Sequence, residues 1–148
     1  MGLWITLAWL ACGTESAPTP EPEPEVEAPE PEPEPEPTRR VFFSSPEDGA
    51  TVKSPVHIEF GVEGMEVKPA GEIVEGTGHH HLIVGPAGVP EGEVVPADET
   101  HIHYGGGQTE ADVELPPGEH KLTMQFADGA HASFGKVMAA TITITVEE

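Results

Sequence analysis

Apolar and polar residues alternate along much of the second part of this chain, and a period of two is typical of β-strands with one buried face. No segment keeps the apolar period of 3.6 that an amphipathic helix requires. Turn signals rich in Pro, Gly and Asp separate the strand candidates, so we expect an all-β, immunoglobulin-like antiparallel sandwich of about seven strands. The candidates are residues 40–43, 56–62, 79–84, 101–104, 111–115, 121–126 and 138–146.

The segment 115–122 resembles the start of the penultimate strand in such sandwiches. His120 has the same strand parity as Leu122, which places it at the corner where a Tyr often hydrogen-bonds back to the chain. We therefore expect His120 to have a structural role, and we do not assign it to a metal.

Residues 13–38 contain nine Glu, nine Pro and no basic residue. Proline lacks an N–H and disfavours helical geometry in the residue before it, so alternating Pro and Glu cannot form a helix. The segment also has almost nothing apolar to bury. We predict a disordered, extended linker that acts as a spacer, followed by one β-sandwich domain over 39–148. A Pro-rich ligand for an SH3-like groove is the alternative, which the negative charge disfavours.

Residues 3–11 form an apolar run that is shorter than the roughly 20 residues of a membrane-spanning helix. The run has the length of the hydrophobic part of an export signal, and it ends directly before Cys12. This arrangement resembles a bacterial lipoprotein signal, in which the Cys becomes the lipidated first residue. We predict a signal segment over 1–12, lipidation of Cys12 and a membrane-anchored location in the cell envelope, exposed to the periplasm or the cell surface. An ordinary secretory signal with an incidental Cys is the alternative.

The formal net charge is −21, from 27 acidic residues against 6 Lys and Arg. Phosphate backbones are bound through Lys and Arg, so we expect no nucleic-acid partner, and the lipid anchor is the only expected membrane contact. A single Cys excludes an intramolecular disulfide and a Cys-based zinc site. The sequence has neither a GxSxG motif nor a P-loop, so we expect a binding protein rather than an enzyme, and a monomer.

Histidine is abundant, with eight His against one Tyr, and five of the His fall in two strand candidates, 79–84 and 101–104. Residues i and i+2 of a strand point to the same side. His79 and His81 therefore project together from one strand, and His101 and His103 from another. His80 has the parity of the apolar residues in its strand, so we expect it to face the core.

If these two strands are neighbours, up to four imidazoles converge, and His131 is a fifth candidate from a loop. Imidazole suits Cu and Zn, so the sequence predicts a transition-metal site in a carrier or buffer. Two alternatives stay open: a structural or protein-interaction domain with a hydrogen-bonded His/Gln/Thr network, and a pH-responsive surface. A metal enzyme is less favoured, because no acid–base residue is evident beside the His pairs.

Three segments of the chain resemble a bacterial family, the domain of unknown function 4399. They read VFFSSPEDGATVKSPVHIEFGVEGMEVKPAGE, TGHHHLIV and PADETHIHYGGGQTEADVELPPGEHKLTMQFADGAH. The resemblance covers about residues 41–146 and implies an exported single β-domain, without implying an activity. It implies these characteristic residues: Met65, His79, His80, His81, His101, His103, Gly105–Gly107, Gln108, Thr109, His120 and His131.

Overall fold

The structure is a computed structural model, and it describes Gly13 and residues 38–148. The predicted signal segment with Cys12 lies outside the described residues, as does the predicted linker between Gly13 and Thr38. Residues 38–148 form nine strands and a short 3-10 helix at Gly135–Met138. The strands are β1 (Arg40–Ser45), β2 (Thr51–Lys53), β3 (Val56–Glu63), β4 (Glu66–Val67), β5 (Thr77–Val84), β6 (His101–His103), β7 (Glu110–Val113), β8 (Gly118–Ala127) and β9 (Ala139–Glu147).

The strands form two sheets. The smaller sheet is antiparallel, with the order β1-β3-β7. The larger sheet has the order β2-β9-β8-β5, and both β4 and β6 pair with β5. All seven predicted strands are present, so the prediction of an all-β sandwich is confirmed.

Two short strands, β2 and β4, were not predicted. They pair in parallel with β9 and β5, so the larger sheet is mixed rather than wholly antiparallel as expected. β2 and β4 contain one apolar residue each, so neither shows a repeating pattern, and their pairing partners define them.

The apolar face of each long strand enters one core between the sheets. In β3 the buried positions are Val56, Ile58 and Phe60, with exposed residues between them. The alternation read from the sequence therefore identifies the core side of the strand correctly. His80 also faces this core, as predicted, where its ring lies 5.2 Å from that of Phe60 and 4.9 Å from that of Phe126.

The alternating pattern predicts that the outer face of the larger sheet is exposed to solvent. Where β5 meets β8, however, other segments of the chain cover this face. Two segments cover it: the β5–β6 loop (residues 85–100) and the His131 loop (residues 128–134). Buried Gln125 shows why a polar residue is stable there. Its Nε2 donates to the carbonyls of Phe126, Gly135 and Met138, and its Oε1 accepts from the N–H of Val89.

His120 occupies the predicted corner. Its Nε2 lies 2.7 Å from the carbonyl oxygen of Pro116, so the ring donates a hydrogen bond back to the chain four residues earlier. This contact gives His120 the structural role that its position in the sequence indicated.

Candidate metal centre

The site begins at β5, whose sequence TGHHHLIV is buried on both faces for nearly its whole length. His80 faces the core, so His79 and His81 face the covered outer side of the larger sheet. Both are fully buried, with 0% and 1% of their surface exposed. A rigid central strand therefore holds two imidazoles side by side, with their ring centroids 4.7 Å apart.

The third imidazole comes from β6. This strand pairs with β5 in antiparallel register, which sets His103 directly opposite His81. The missing side chain of Gly105 gives the ring its space, because a Cβ at Gly105 would overlap the His103 imidazole. Gly105, one of the residues that the family resemblance implies, therefore has a steric role.

The fourth imidazole comes from the His131 loop. Asp128 organises this loop, since its Oδ1 accepts from the backbone N–H of Ala130 at 2.8 Å and of Ala132 at 2.9 Å. His131 has a φ of 68°, a left-handed conformation that few residues other than Gly adopt. Its carbonyl accepts from the N–H of Val95, which ties the turn to the β5–β6 loop. The structure thus supplies a specific cause for the position of His131.

These residues form the four-histidine cluster: His79, His81, His103 and His131. Each contributes one ring nitrogen, and the four nitrogens lie within 4.8 Å of one another. The Nε2 of His103 is 3.2 Å from that of His79 and 3.1 Å from that of His131. The cluster could therefore hold a metal ion.

Hydrogen bonding alone satisfies these contacts poorly. A ring nitrogen carries either one proton or one lone pair. The Nε2 of His103 faces two other Nε2 atoms, so at most one of its two contacts is a full hydrogen bond. Two further atoms, Nδ1 of His79 and Nδ1 of His81, are buried without a partner among the described residues. Within this part of the chain the cluster is thus underbonded.

The nitrogen spacing suits a small cation. With metal–nitrogen bonds of about 2.0–2.1 Å, ligating nitrogens lie about 3.3 Å apart in a tetrahedral site and about 2.9 Å apart at adjacent square-planar corners. The observed separations of 3.1 Å and 3.2 Å fall between these values. Both contacts of the His103 Nε2 are therefore compatible with shared coordination of one ion.

Burial keeps His79 and His81 uncharged near neutral pH. It lowers the pKa of His79 to about 4 and that of His81 to about 3, and the neighbouring imidazoles act in the same direction. The pKa of His103 is also lowered, first by burial and then by His131. The carboxylate of Asp128 opposes the shift at His79 only in part. Neutral imidazole is the form that binds metal.

The structure does not bring His101 into the cluster, and this corrects the prediction that its side chain joins that of His103 there. His101 pairs with Ile83, two positions along β5 from His81. Its Nδ1 donates instead to Oδ1 of Asp98 at 2.8 Å. His131 takes the place that the sequence analysis gave to His101.

A further histidine outside the core and the cluster is His57, on the smaller sheet. It lies near Glu59 and Glu110 in a second group of ligand type, but all three are on the exposed side of β3 and β7. The Nδ1 of His57 donates to Asp112 at 2.8 Å. His57, like His101 and His120, therefore has a protein acceptor, whereas the cluster rings contact one another.

Comparison with known proteins adds the family. A family model described as "Domain of unknown function (DUF4399)" matches residues 58–147, more than half of the chain. The chain belongs to this family. The matched part of the DUF4399 domain includes β4–β9, all four cluster histidines and His101. Comparisons with curated proteins and with solved structures find no match.

Two residues that position histidines of the DUF4399 domain were not predicted from the sequence. Asp128 shapes the His131 loop, and a carboxylate three residues before that histidine signals a side chain able to do so. Asp98, three residues before His101, carries the same signal. No helix among the described residues is long and apolar enough to cross a bilayer.

Proposed function

We propose that this protein binds one transition-metal ion, Cu or Zn, in the four-histidine cluster and acts as a metal carrier or buffer in the cell envelope. The location follows the predicted lipidation of Cys12, which would anchor the domain to a membrane through the Pro/Glu linker. The proposal extends the family assignment, which states no function.

The grouping of four histidine nitrogens within 4.8 Å of one another carries the proposal. The Nε2 of His103 lies 3.2 Å from that of His79 and 3.1 Å from that of His131, and at most one of these two contacts is a full hydrogen bond. A cation among these nitrogens would be coordinated by lone pairs that hydrogen bonds within the cluster do not use. The buried ring of His81, opposite His103, supplies a fourth ligand.

The donor set favours Cu and Zn over harder ions. Imidazole is a nitrogen ligand of intermediate softness, whereas Mg and Ca prefer carboxylate and carbonyl oxygens. His103 is exposed and His131 belongs to a loop, so both rings can turn to complete the coordination shell. Four protein ligands fill a tetrahedral site, which supports a carrier or buffer rather than a catalyst with an open position.

The rival proposal is a structural or protein-interaction domain in which the cluster is a polar network. Such a network would pair its ring nitrogens with carbonyls or carboxylates, as His57, His101 and His120 do. The cluster rings instead have only one another as polar partners among residues 38–148. This difference within one domain favours the metal.

The test is metal binding by the full chain, purified without a polyhistidine tag and with Cys12→Ala to prevent lipidation. After chelator treatment, calorimetric titration with Cu(II) and with Zn(II) should each give one site per chain. His103→Gln should weaken that site, whereas His57→Gln, a change on the other sheet, should not. Absence of binding by the intact cluster with both metals would reject the proposal in favour of the polar network.

A further inference from the structure

His101 lies just outside the four-histidine cluster, on the same strand face as His103. In β6 the two residues are at positions i and i+2, so their side chains leave the same side of the larger sheet. His103 faces His81 across the strand pair, and His101 faces Ile83. The ring of His101 therefore stands one step along the sheet from the cluster.

The bonding of His101 differs from that of every cluster histidine. Its Nδ1 donates to Oδ1 of Asp98 at 2.8 Å. That oxygen also accepts from the backbone N–H and the hydroxyl of Thr100, which fix the carboxylate in place. The Nε2 of His101 has no hydrogen-bond partner among the described residues.

This arrangement prepares His101 to bind a cation. A carboxylate that accepts from Nδ1 fixes the imidazole tautomer, leaves the lone pair on Nε2 and makes that atom a stronger donor to metal. Histidines that ligate metals carry such a partner as a rule. Here the carboxylate partner, Asp98, contacts His101, which lies beside the cluster, and not a histidine of the cluster itself.

His101 is more exposed to solvent than the two cluster histidines of β5. His79 and His81 are sealed on the inner side of the cluster, whereas 18% of the His101 side chain and about half of Asp98 (51%) are exposed. The His101 side chain is thus partly open to a hydrated cation. The carboxylates of Asp98 and Glu99 add negative charge at that position, within a chain whose net charge is −21.

We propose that His101 is a capture ligand, which takes Cu(II) or Zn(II) from solution and passes it to the four-histidine cluster through the exposed ring of His103. This inference rests on the proposed function. The ion exchanges a bound water for Nε2 of His101 and then exchanges that nitrogen for the cluster nitrogens. No bond of the protein is made or broken, and no redox change is needed.

A capture ligand leaves a kinetic signature. It stabilises an intermediate through which the ion both arrives and leaves, so its removal slows binding and release by the same factor. The equilibrium Kd then stays constant. A true cluster ligand behaves differently, because its loss raises the Kd and speeds release.

The experiment is stopped-flow loading of the full chain (Cys12→Ala) with Zn(II), followed by release to a chromophoric chelator. We expect His101→Gln to slow both rates about tenfold, the lower end of what removal of a metal-supporting group costs, with Kd unchanged within twofold. Asp98→Asn, which keeps an oxygen acceptor for the turn, should slow both rates less. His57→Gln is the matched control, because His57 has the same kind of carboxylate partner, Asp112, on the other sheet.

The outcomes separate this inference from the proposed function. If the intact cluster binds Zn(II) and both His101→Gln and Asp98→Asn load at its rate, the capture role is rejected and the metal site stands. A raised Kd in His101→Gln also rejects it, since His101 would then be a ligand of the final site. Failure of the intact cluster to bind either Zn(II) or Cu(II) rejects both.

Discussion

His81 of β5 and His103 of β6 lie directly opposite each other in an antiparallel pair, with ring centroids 5.0 Å apart and ring planes inclined by 28°. One partner is sealed in the protein and the other is exposed. This pair joins the rigid buried part of the cluster to its accessible side. The register of β5 and β6 is therefore the property on which the site depends most.

Replacement of His131 should separate its role as a ligand from its role in the turn. His131→Gly removes the ring and suits the left-handed φ of 68°. His131→Ala removes the ring but keeps the strained backbone, so it should be about 1 kcal/mol less stable than the Gly variant. Both should lose most of the rise in melting temperature that Zn(II) or Cu(II) produces at about pH 7.5. Thermal unfolding with and without metal measures both effects, and an undiminished metal response in both variants would exclude His131 as a ligand.

Gly105 should be required for the position of the His103 ring. A Cβ at Gly105 overlaps that imidazole, so Gly105→Ala should push the ring away from the cluster and weaken metal binding about 10- to 100-fold. Gly106→Ala is the matched control, because its Cβ would meet only the flexible end of Gln108. Calorimetric titration of the two variants provides the comparison. Equal affinities would show that the ring has another position from which it can bind.

Acid should destabilise the metal-free protein through His80. Burial lowers the pKa of His80 to about 4, whereas the unfolded chain takes up this proton near pH 6.5. Below about pH 6.5 the unfolded state therefore binds more protons than the native state, and stability falls as the pH is lowered. The loss for this one residue reaches about 3 kcal/mol at about pH 4.

His80→Leu should reduce this loss, because it removes the buried titrating group and leaves an apolar side chain between two aromatic rings. Urea unfolding from about pH 7 to pH 4 measures the slope, which we expect to fall by up to about 1.4 kcal/mol per pH unit. His57→Gln should not reduce it, because the hydrogen bond to Asp112 raises the pKa of His57 and gives a dependence of opposite sign. Equal slopes in native and His80→Leu protein would contradict this explanation.

Cys12→Ala should release the protein from membranes into the soluble fraction. The apolar run that ends before Cys12 predicts lipidation, and several acyl chains anchor a protein stably where one does not. Fractionation of cells that produce each form tests this, with Cys12→Ser as a second variant of similar size. A native protein found already in the soluble fraction would contradict lipidation.

The sequence by itself determined the strands that are long enough to display a period. Alternation in β3, β8 and β9 identified their core faces, and the parity of His80 placed its ring in the core. The same parity set His79 and His81 on the other side. These properties follow from the two-residue repeat of a strand, which is local and needs no knowledge of neighbours.

Only the tertiary structure decided which histidines meet. Parity places His101 and His103 on one face, but the register with β5 sets His103 opposite His81 and leaves His101 opposite Ile83. His131 belongs to a loop without periodicity, and hydrogen bonds to Asp128 and Val95 bring it to the cluster. Sequence patterns report which side of a strand a residue faces, whereas distances across a sheet depend on register and loop packing, which arise only when the separated parts of the chain come together.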